Sequence, residues 1–187
     1  MNRGTLLVIS GPSGVGKSTI AKKLREIPGV VRVMTTTTRK RRPQEADGRD
    51  YRFLTPEAFE SEVQAGGFLE YAQIDGNFYG TPKAAIEKEL SRGKVVLVDI
   101  DTQGARSVRD LKLPAFFVFI APPDMAELRK RLEGRKTEGP EALKMRLDRA
   151  EREMAQKETY DAVVVNTTVE RAVDEILALA RARNLLG

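Results

Sequence analysis

Short runs of apolar, mostly β-branched residues recur along the chain, and stretches long enough for a helix separate most of them. We predict five strands from these runs, at 6–9, 30–34, 95–98, 116–120 and 162–165. The runs contain few polar residues, a pattern typical of strands that are covered on both faces. They therefore predict a parallel sheet whose strands are joined by right-handed crossovers.

Between these runs, apolar residues recur with the three-to-four-residue spacing of an amphipathic helix. We predict helices over 18–26, 82–90, 124–133, 140–159 and 169–183. Strands that alternate with helices predict an α/β fold, in which helices pack against the faces of the sheet.

The stretch 35–81 interrupts this alternation, because it is rich in polar, charged and aromatic residues. Within it, we predict a helix over 56–64 and a strand over 68–74. The Asp75-Gly76 pair that follows is typical of a hairpin turn. The interruption divides an expected main domain, 1–34 with 82–187, from an inserted subdomain, 35–81.

The composition removes several kinds of catalytic site. Among 187 residues there is no cysteine, no histidine and no tryptophan. Thiolate nucleophiles, histidine general bases and metals bound by cysteine or histidine are therefore excluded. The remaining chemistry depends on charge, carboxylates, hydroxyls, backbone amides and a hard metal ion, a set that suits phosphoryl transfer.

Charge and hydropathy say less about the partner. Lysine and arginine number 32 against 27 acidic residues, a net charge of +5, which favours anionic partners without choosing between nucleic acid and nucleotide. The longest apolar run, 115–121, has the length of a strand, and no stretch predicts a secretory signal or a membrane span. The lack of cysteine fits a reducing compartment, so we expect a cytoplasmic protein.

The segment G-P-S-G-V-G-K-S at 11–18 fits the pattern G-x-x-x-x-G-K-[ST] of nucleotide phosphate loops. It lies between a predicted strand and a predicted helix, where backbone amides and the helix N-terminus converge on phosphate oxygens. We expect Lys17 to reach the β- and γ-phosphates and Ser18 to bind Mg²⁺. The motif predicts binding of a nucleoside triphosphate and leaves a GTPase, an ATPase and a small-molecule kinase open. The predicted loop residues are Gly11, Pro12, Ser13, Gly14, Val15, Gly16, Lys17, Ser18 and Thr19.

Two absences favour the kinase. The chain has no Asn-Lys-x-Asp run, which is the usual guanine-reading motif of GTPases, and it is short for a remodelling ATPase with a separate oligomerising domain. A compact phosphate-loop protein with an inserted subdomain most often phosphorylates a small acceptor.

Three further blocks follow the loop, T-T-R-K-R-R-P-Q-E-A-D-G-R-D-Y at 37–51, F-L-E-Y-A-Q-I-D-G-N-F-Y-G-T at 68–81 and D-I-D-T-Q-G at 99–104. In this order, and together with the loop, they resemble the guanylate kinase family over essentially the whole chain. The resemblance implies transfer of a phosphoryl group from Mg²⁺-ATP to GMP, giving ADP and GDP. It also implies a three-layer α/β/α phosphate-loop fold with a five-stranded parallel sheet, a GMP-binding insertion at 35–81 and a lid at about 125–146.

The resemblance assigns the acceptor site in two groups. Residues implied to hold the GMP phosphate are Arg39, Arg42, Tyr51 and Tyr79, with Glu45 supporting the arginines; residues implied to read guanine are Thr35, Glu70, Thr81 and Asp101. The chemistry agrees, because arginine forks and tyrosine hydroxyls bind a phosphate dianion. Carboxylates accept from the N–H donors of guanine and a threonine hydroxyl donates to its O6, whereas adenine would leave several of these groups unpaired.

On the donor side, the resemblance places lid arginines against the transferring phosphate and Asn166 near the adenine base. Arg149 matches the family less closely, and Asp99 is a candidate metal ligand through a water molecule. The implied catalytic residues are Lys17, Arg39, Arg131, Arg135 and Arg146. Residues that depart from those usual in the family are Arg41, Phe78, Lys136 and Thr167.

The acceptor phosphate has a second pKa of about 6 and is mostly ionised at neutral pH, so the transfer needs no general base. Alternatives stay open at this point: a kinase for a sugar phosphate, a guanylate-kinase-like binding module, and a nucleic-acid-binding protein. We expect ATP and GMP as partners, with dGMP undecided, no nucleic acid and no membrane. Either a monomer or a homodimer is compatible with the sequence.

Overall fold

The computed structural model describes residues 4–134 and 140–186. A short 3₁₀ helix, Lys157–Thr159, accompanies the longer elements. In chain order these are β1 (Thr5–Ser10), α1 (Lys17–Leu24), β2 (Val30–Arg32), β3 (Thr36–Thr37), β4 (Arg52–Phe53), α2 (Pro56–Gln64), β5 (Phe68–Ile74), β6 (Asn77–Pro82), α3 (Lys83–Ser91), β7 (Val95–Asp99), α4 (Thr102–Asp110), β8 (Ala115–Ala121), α5 (Met125–Glu133), α6 (Pro140–Met154), β9 (Ala162–Val165) and α7 (Val169–Ala182).

Five strands form a parallel sheet in the order β2-β7-β1-β8-β9. Strand β1 lies at the centre, with Leu7 paired to Leu97 of β7 and to Phe116 of β8. Its apolar residues are fully buried, because neighbouring strands and helices enclose it on every side. The predicted five-stranded parallel sheet is therefore confirmed.

Helices cover both faces of this sheet. Successive side chains of a strand point to opposite faces, so β1 contributes to two separate apolar clusters. Leu7 and Ile9 belong to a cluster with residues of α1, α5, α6 and α7. Leu6 and Val8 belong to another, with residues of α3 and α4. The predicted α/β fold with three layers is confirmed by these two clusters.

A second sheet of four strands has the order β4-β3-β6-β5. Its hairpin, β5–β6, turns at Asp75 and Gly76, whose φ angles are 49° and 77°. Two positive φ angles are the requirement of the tight turn that an Asp-Gly pair favours. Helix α2 begins after Thr55, whose hydroxyl accepts from the N–H of Ala58, and its buried Phe59 stacks on Phe68 of β5 with ring centroids 4.5 Å apart.

Two differences from the predicted elements have physical reasons. Helix α4 was not predicted, because its nine residues are mostly polar and include Gly104, and only Ala105 and Val108 give it a buried apolar face. Helix α6 ends at Met154 rather than at 159, and the chain continues as a separate 3₁₀ turn, the tighter form common near helix ends.

No helix within 4–134 and 140–186 combines the length and the hydropathy that crossing a membrane requires.

Candidate active site

A cavity of about 300 Å³ opens beyond the carboxyl ends of β1 and β7. Ligands of open parallel sheets bind at this edge. The structure thus brings together, in one cavity, the phosphate loop and side chains from the second sheet and from α6. The lining residues are Gly11, Ser13, Lys17, Ser18, Arg32, Thr35, Arg42, Tyr51, Glu70, Ala72, Ile74, Asp75, Tyr79, Asp99, Ile100, Asp101, Arg146, Arg149 and Glu153.

The phosphate loop joins β1 to α1 and presents backbone donors. Gly11 and Gly16 have φ angles of 142° and 100°, which residues with a Cβ rarely adopt. No side chain caps the N-terminus of α1. Because the first amides of a helix lack partners within it, those of α1 are available to a bound anion.

Lys17 lies along the loop rather than in open solvent. Its ammonium donates to the carbonyl oxygens of Gly11 and Pro12, the latter at 3.1 Å. Burial lowers the pKa of Lys17, and the nearby carboxylates of Glu153, Asp99 and Asp101 oppose that effect. The Lys17 ammonium therefore lies inside the cavity, next to the loop amides.

Asn166 and Arg131 hold the loop from its outer side. The Asn166 amide donates to the carbonyl oxygen of Val15 at 2.7 Å, and Arg131 donates to the carbonyl oxygen of Asn166 at 3.1 Å. A further bond at 3.0 Å joins Arg131 to Glu127 on the preceding turn of α5. Arg135, the other predicted residue of this region, lies outside the described residues.

Glu45 organises the arginine cluster of the second sheet. Its two carboxylate oxygens accept from one terminal nitrogen of Arg39 at 2.8 and 3.0 Å, and one of them also accepts from the N–H of Arg42 at 2.9 Å. Burial acts to raise the pKa of Glu45, but the bonds from Arg39 and Arg42 outweigh it and lower that pKa. Arg39 also stands 5.5 Å from the ring centre of Tyr51. Of this group, Arg42, Tyr51 and Tyr79 line the cavity itself.

Glu70 lies next to Thr81 and Asp101, and the two carboxylates line the cavity. The Thr81 hydroxyl donates to Glu70 at 2.6 Å, and the Glu70 side chain is almost fully buried. Burial raises the pKa of Glu70 to about 7, with the bond from Thr81 lowering it and the charge of Asp101 raising it. A Cβ on Gly104 would lie 2.6 Å from a carboxylate oxygen of Glu70, so only glycine leaves room for this carboxyl group.

Asp101 has a second neighbour that the sequence did not reveal. One of its oxygens accepts from the N–H of Gly104 at 2.9 Å and caps α4, while the other accepts from Arg149 at 3.1 Å. Arg149 also donates to Glu153 at 3.0 Å. Arg149 of α6 thus connects Asp101, which is predicted to read guanine, to the buried Glu153.

Sequence reasoning missed Arg32, Asp75 and Glu153, all of which line the cavity. Arg32 donates to Asp99 at 3.2 Å, and Asp75 lies 4.0 Å from both Arg146 and Arg149. A signal was present for Arg32, because it is the charged residue within an apolar predicted strand. Glu153 follows the apolar Ala150 by three residues, so the two lie on the same side of α6 and both are buried. Glu141 and Glu151 of the same helix are exposed.

Known proteins resemble this chain along nearly all of its length. The model of the guanylate kinase family matches residues 3–182. The guanylate kinase of Thermobifida fusca is 47% identical over 178 residues, which are 95% of this chain and 91% of that protein. The guanylate kinase of Rubrobacter xylanophilus is 44% identical over 182 residues, 97% of this chain and 95% of its own.

A solved structure agrees with these relatives. The crystal structure of guanylate kinase from Anaplasma phagocytophilum superposes with a TM-score of 0.83 at 35% identity, covering 99% of this chain and 88% of the other. Family match, relatives and fold point the same way, and the geometry of the cavity is compatible with all three. The chain therefore belongs to the guanylate kinase family.

Proposed function

We propose that the protein transfers the γ-phosphoryl group of ATP to GMP and releases ADP and GDP. One observation carries the proposal: the phosphate loop with Lys17 and the buried Glu70, which accepts from Thr81, line the same cavity. The first set of groups suits a triphosphate, and the second suits a base that offers N–H donors.

Recognition of guanine would come from the carboxylates. Glu70 and Asp101 would accept from the N1 and 2-amino donors of guanine, and Thr35 would donate to O6. The single hydroxyl proton of Thr81 goes to Glu70, so Thr81 would orient that carboxylate rather than donate to the base. Adenine presents an acceptor at N1, so it would leave buried polar groups unpaired. The short bond between Thr81 and Glu70 orients the acceptor oxygen before any ligand arrives.

The acceptor phosphate would be bound by Arg39, Arg42, Tyr51 and Tyr79. Glu45 fixes Arg39 through two short bonds, so the guanidinium is oriented in advance. Preorganised donors of this kind stabilise charge as it spreads over a transferring phosphoryl group. The reaction needs no general base, because the attacking oxygen belongs to an already ionised phosphate.

Mg²⁺ fits the residues at the donor end. The hydroxyl of Ser18 and the carboxylate of Asp99 line the same cavity and are hard oxygen ligands. Mg²⁺ is commonly held by one or two such groups together with substrate phosphates. Ser18 would hold the ion and Asp99 would contribute through a water molecule. When bound, Mg²⁺ neutralises charge on the β- and γ-phosphates.

Binding of GMP and binding of ATP would be carried out by two different parts of the chain. We infer that 35–81 is the GMP-binding subdomain and that 1–34 with 82–187 is the phosphate-loop core, with a lid at about 125–146. The bonds of Arg131 to the carbonyl oxygens of Val15, in the phosphate loop, and of Asn166 support this role for α5. Arg135 and Arg146 would act with Arg131 on the transferring phosphate. A cytoplasmic location, a role in purine metabolism, and a monomer or homodimer stay predictions.

The test is an ADP-release assay with GMP, dGMP, AMP, CMP, UMP and ribose 5-phosphate as acceptors. We expect turnover with GMP and Mg²⁺, and little or none with AMP, the other ribonucleotides or the sugar phosphate. Lys17→Ala, purified identically, controls for contaminating kinases and should lose about two orders of magnitude or more in turnover while retaining GMP binding. Preference for ribose 5-phosphate, ATP turnover without any acceptor specificity, or full activity of Lys17→Ala would contradict the proposal.

A further inference from the structure

Arg32 is a charged residue of the cavity to which the proposed function gives no role. It ends β2, a strand whose other residues are valines, and its side chain is 16% exposed. A guanidinium held so far from solvent is costly unless it is paired with charge and hydrogen-bonded. The contacts of the Arg32 side chain therefore indicate which kind of ligand its charge would bind.

The partner in the protein satisfies only part of this group. The Nε of Arg32 donates to one oxygen of Asp99 at 3.2 Å. A guanidinium has five N–H donors in a rigid fork, and the described residues offer the Arg32 side chain no other hydrogen bond. Because Arg32 lines the cavity, its terminal N–H groups remain available to a ligand there.

The neighbours of Arg32 identify the kind of ligand. Burial raises the pKa of the Tyr51 hydroxyl, and the charges of Asp99 and Arg32 act on it in opposite directions, so the three groups are close together. Tyr51 belongs to the group proposed to bind the acceptor phosphate, as do Arg42 and Tyr79, and all three line the same cavity as Arg32.

We propose that Arg32 is a further acceptor-binding residue, which donates to the phosphate of GMP while Asp99 fixes the orientation of its guanidinium. This inference rests on the proposed function, since it takes GMP as the acceptor. An arginine fork makes strong, charge-assisted bonds to a phosphate dianion. A bound phosphate would use the donors that Asp99 leaves, which accounts for a cation at the end of an apolar strand.

The test compares GMP with guanosine, which lacks the phosphate. Binding of each to the full chain is measured by calorimetry without ATP or Mg²⁺. We expect Arg32→Met to weaken GMP about 10- to 100-fold and to leave guanosine nearly unchanged, with Arg32→Lys intermediate for GMP. Arg92→Ala is the matched control, because Arg92 pairs with Glu89 at 2.9 Å outside the cavity; it should bind GMP as the wild type does.

A double variant separates phosphate binding from mere compensation of Asp99. If Arg32 served only to neutralise Asp99, Arg32→Met combined with Asp99→Asn would restore GMP affinity; under our proposal the loss remains. Restored affinity, an equal loss for GMP and guanosine, or unchanged GMP affinity in Arg32→Met overturns the inference alone. A wild-type protein that binds ATP and ignores GMP overturns the proposed function with it.

Discussion

At the scale of single residues, Glu70 shows a conflict between binding and folding. Recognition of guanine N–H donors requires its carboxylate, whereas burial raises its pKa from 4.5 to about 7 and favours the neutral carboxyl. Because the folded-state pKa lies above the unfolded value, the neutral carboxyl favours the fold fully below pH 4.5. That contribution is lost as the pH rises through about 7, where the folded protein must hold a buried charge.

Glu70→Gln should separate the two effects. At pH 8 we expect the variant to be more stable than the wild type by an amount on the order of 2 kcal/mol, since the amide carries no charge. Below pH 4.5 the difference should vanish. Urea unfolding at both pH values measures the stability, and calorimetry should show that the variant binds GMP far more weakly and ATP normally. Equal stabilities at pH 8, or equal losses for both nucleotides, would contradict this account.

Which site residues the sequence could predict depends on where their partners lie. Arg39 and Glu45 are six positions apart, within one motif, and their predicted association is present in the structure. Arg32 and Asp99 are 67 positions apart, on neighbouring strands. Nothing in a local pattern indicates that these two side chains meet, so Arg32 could be noticed only as a charge in an apolar run.

At the scale of elements, the phosphate loop depends on glycine for two different reasons. Gly16 has a φ of 100°, and a Cβ there would also lie 2.6 Å from the side-chain nitrogen of Asn166. That nitrogen donates to Val15 and holds the loop. Gly29 has a similar φ of 88°, but a Cβ there would meet nothing within 4 Å. Comparing alanine variants at Gly16 and Gly29 therefore separates the effect of backbone strain from the effect of displacing the loop.

We expect Gly29→Ala to lower the free energy of unfolding by about 1 kcal/mol, the ordinary cost of a side chain at positive φ, without changing ATP affinity. Gly16→Ala should carry a similar strain and in addition weaken ATP about tenfold or more, because Asn166 must move and the loop amides with it. Urea unfolding and ATP calorimetry on both variants give the comparison. A Gly16→Ala protein with normal ATP affinity would show that Asn166 does not position the loop.

Elements could be predicted where burial on both faces of a strand gives the sequence a continuous apolar run. Strands β1, β7 and β8 are covered on both faces and appear as continuous apolar runs, so their positions follow from the sequence to within a residue at each end. Strands β3 and β4 have two residues each and are defined by pairing alone. No periodicity exists over so short a length, and their existence depends on the sheet around them.

At the scale of the whole molecule, α6 connects the two sheets across the cavity. Arg149 pairs with Asp101, which follows β7 of the parallel sheet, and lies 4.0 Å from Asp75 in the hairpin of the second sheet. The sequence predicted the number and direction of the core strands, but not the order that brings β7 beside β1. The contacts of α6 depend on that order, and they were not predictable either.

The contact between Asp75 and α6 should bias the protein towards a closed cavity before GMP binds. Asp75 has a φ of 49° and is 68% exposed. Asparagine tolerates this backbone conformation, so Asp75→Asn removes the charge without straining the turn. An exposed ion pair contributes less than about 1 kcal/mol, and we therefore expect KM for GMP to rise about two- to fivefold at low salt, with kcat nearly unchanged. High salt should abolish the difference by screening the pair. Asp110→Asn, an exposed aspartate at the end of α4 that does not line the cavity, is the control. A KM that does not change, or a change that persists in high salt, would mean that the charge of Asp75 does not hold the hairpin against α6.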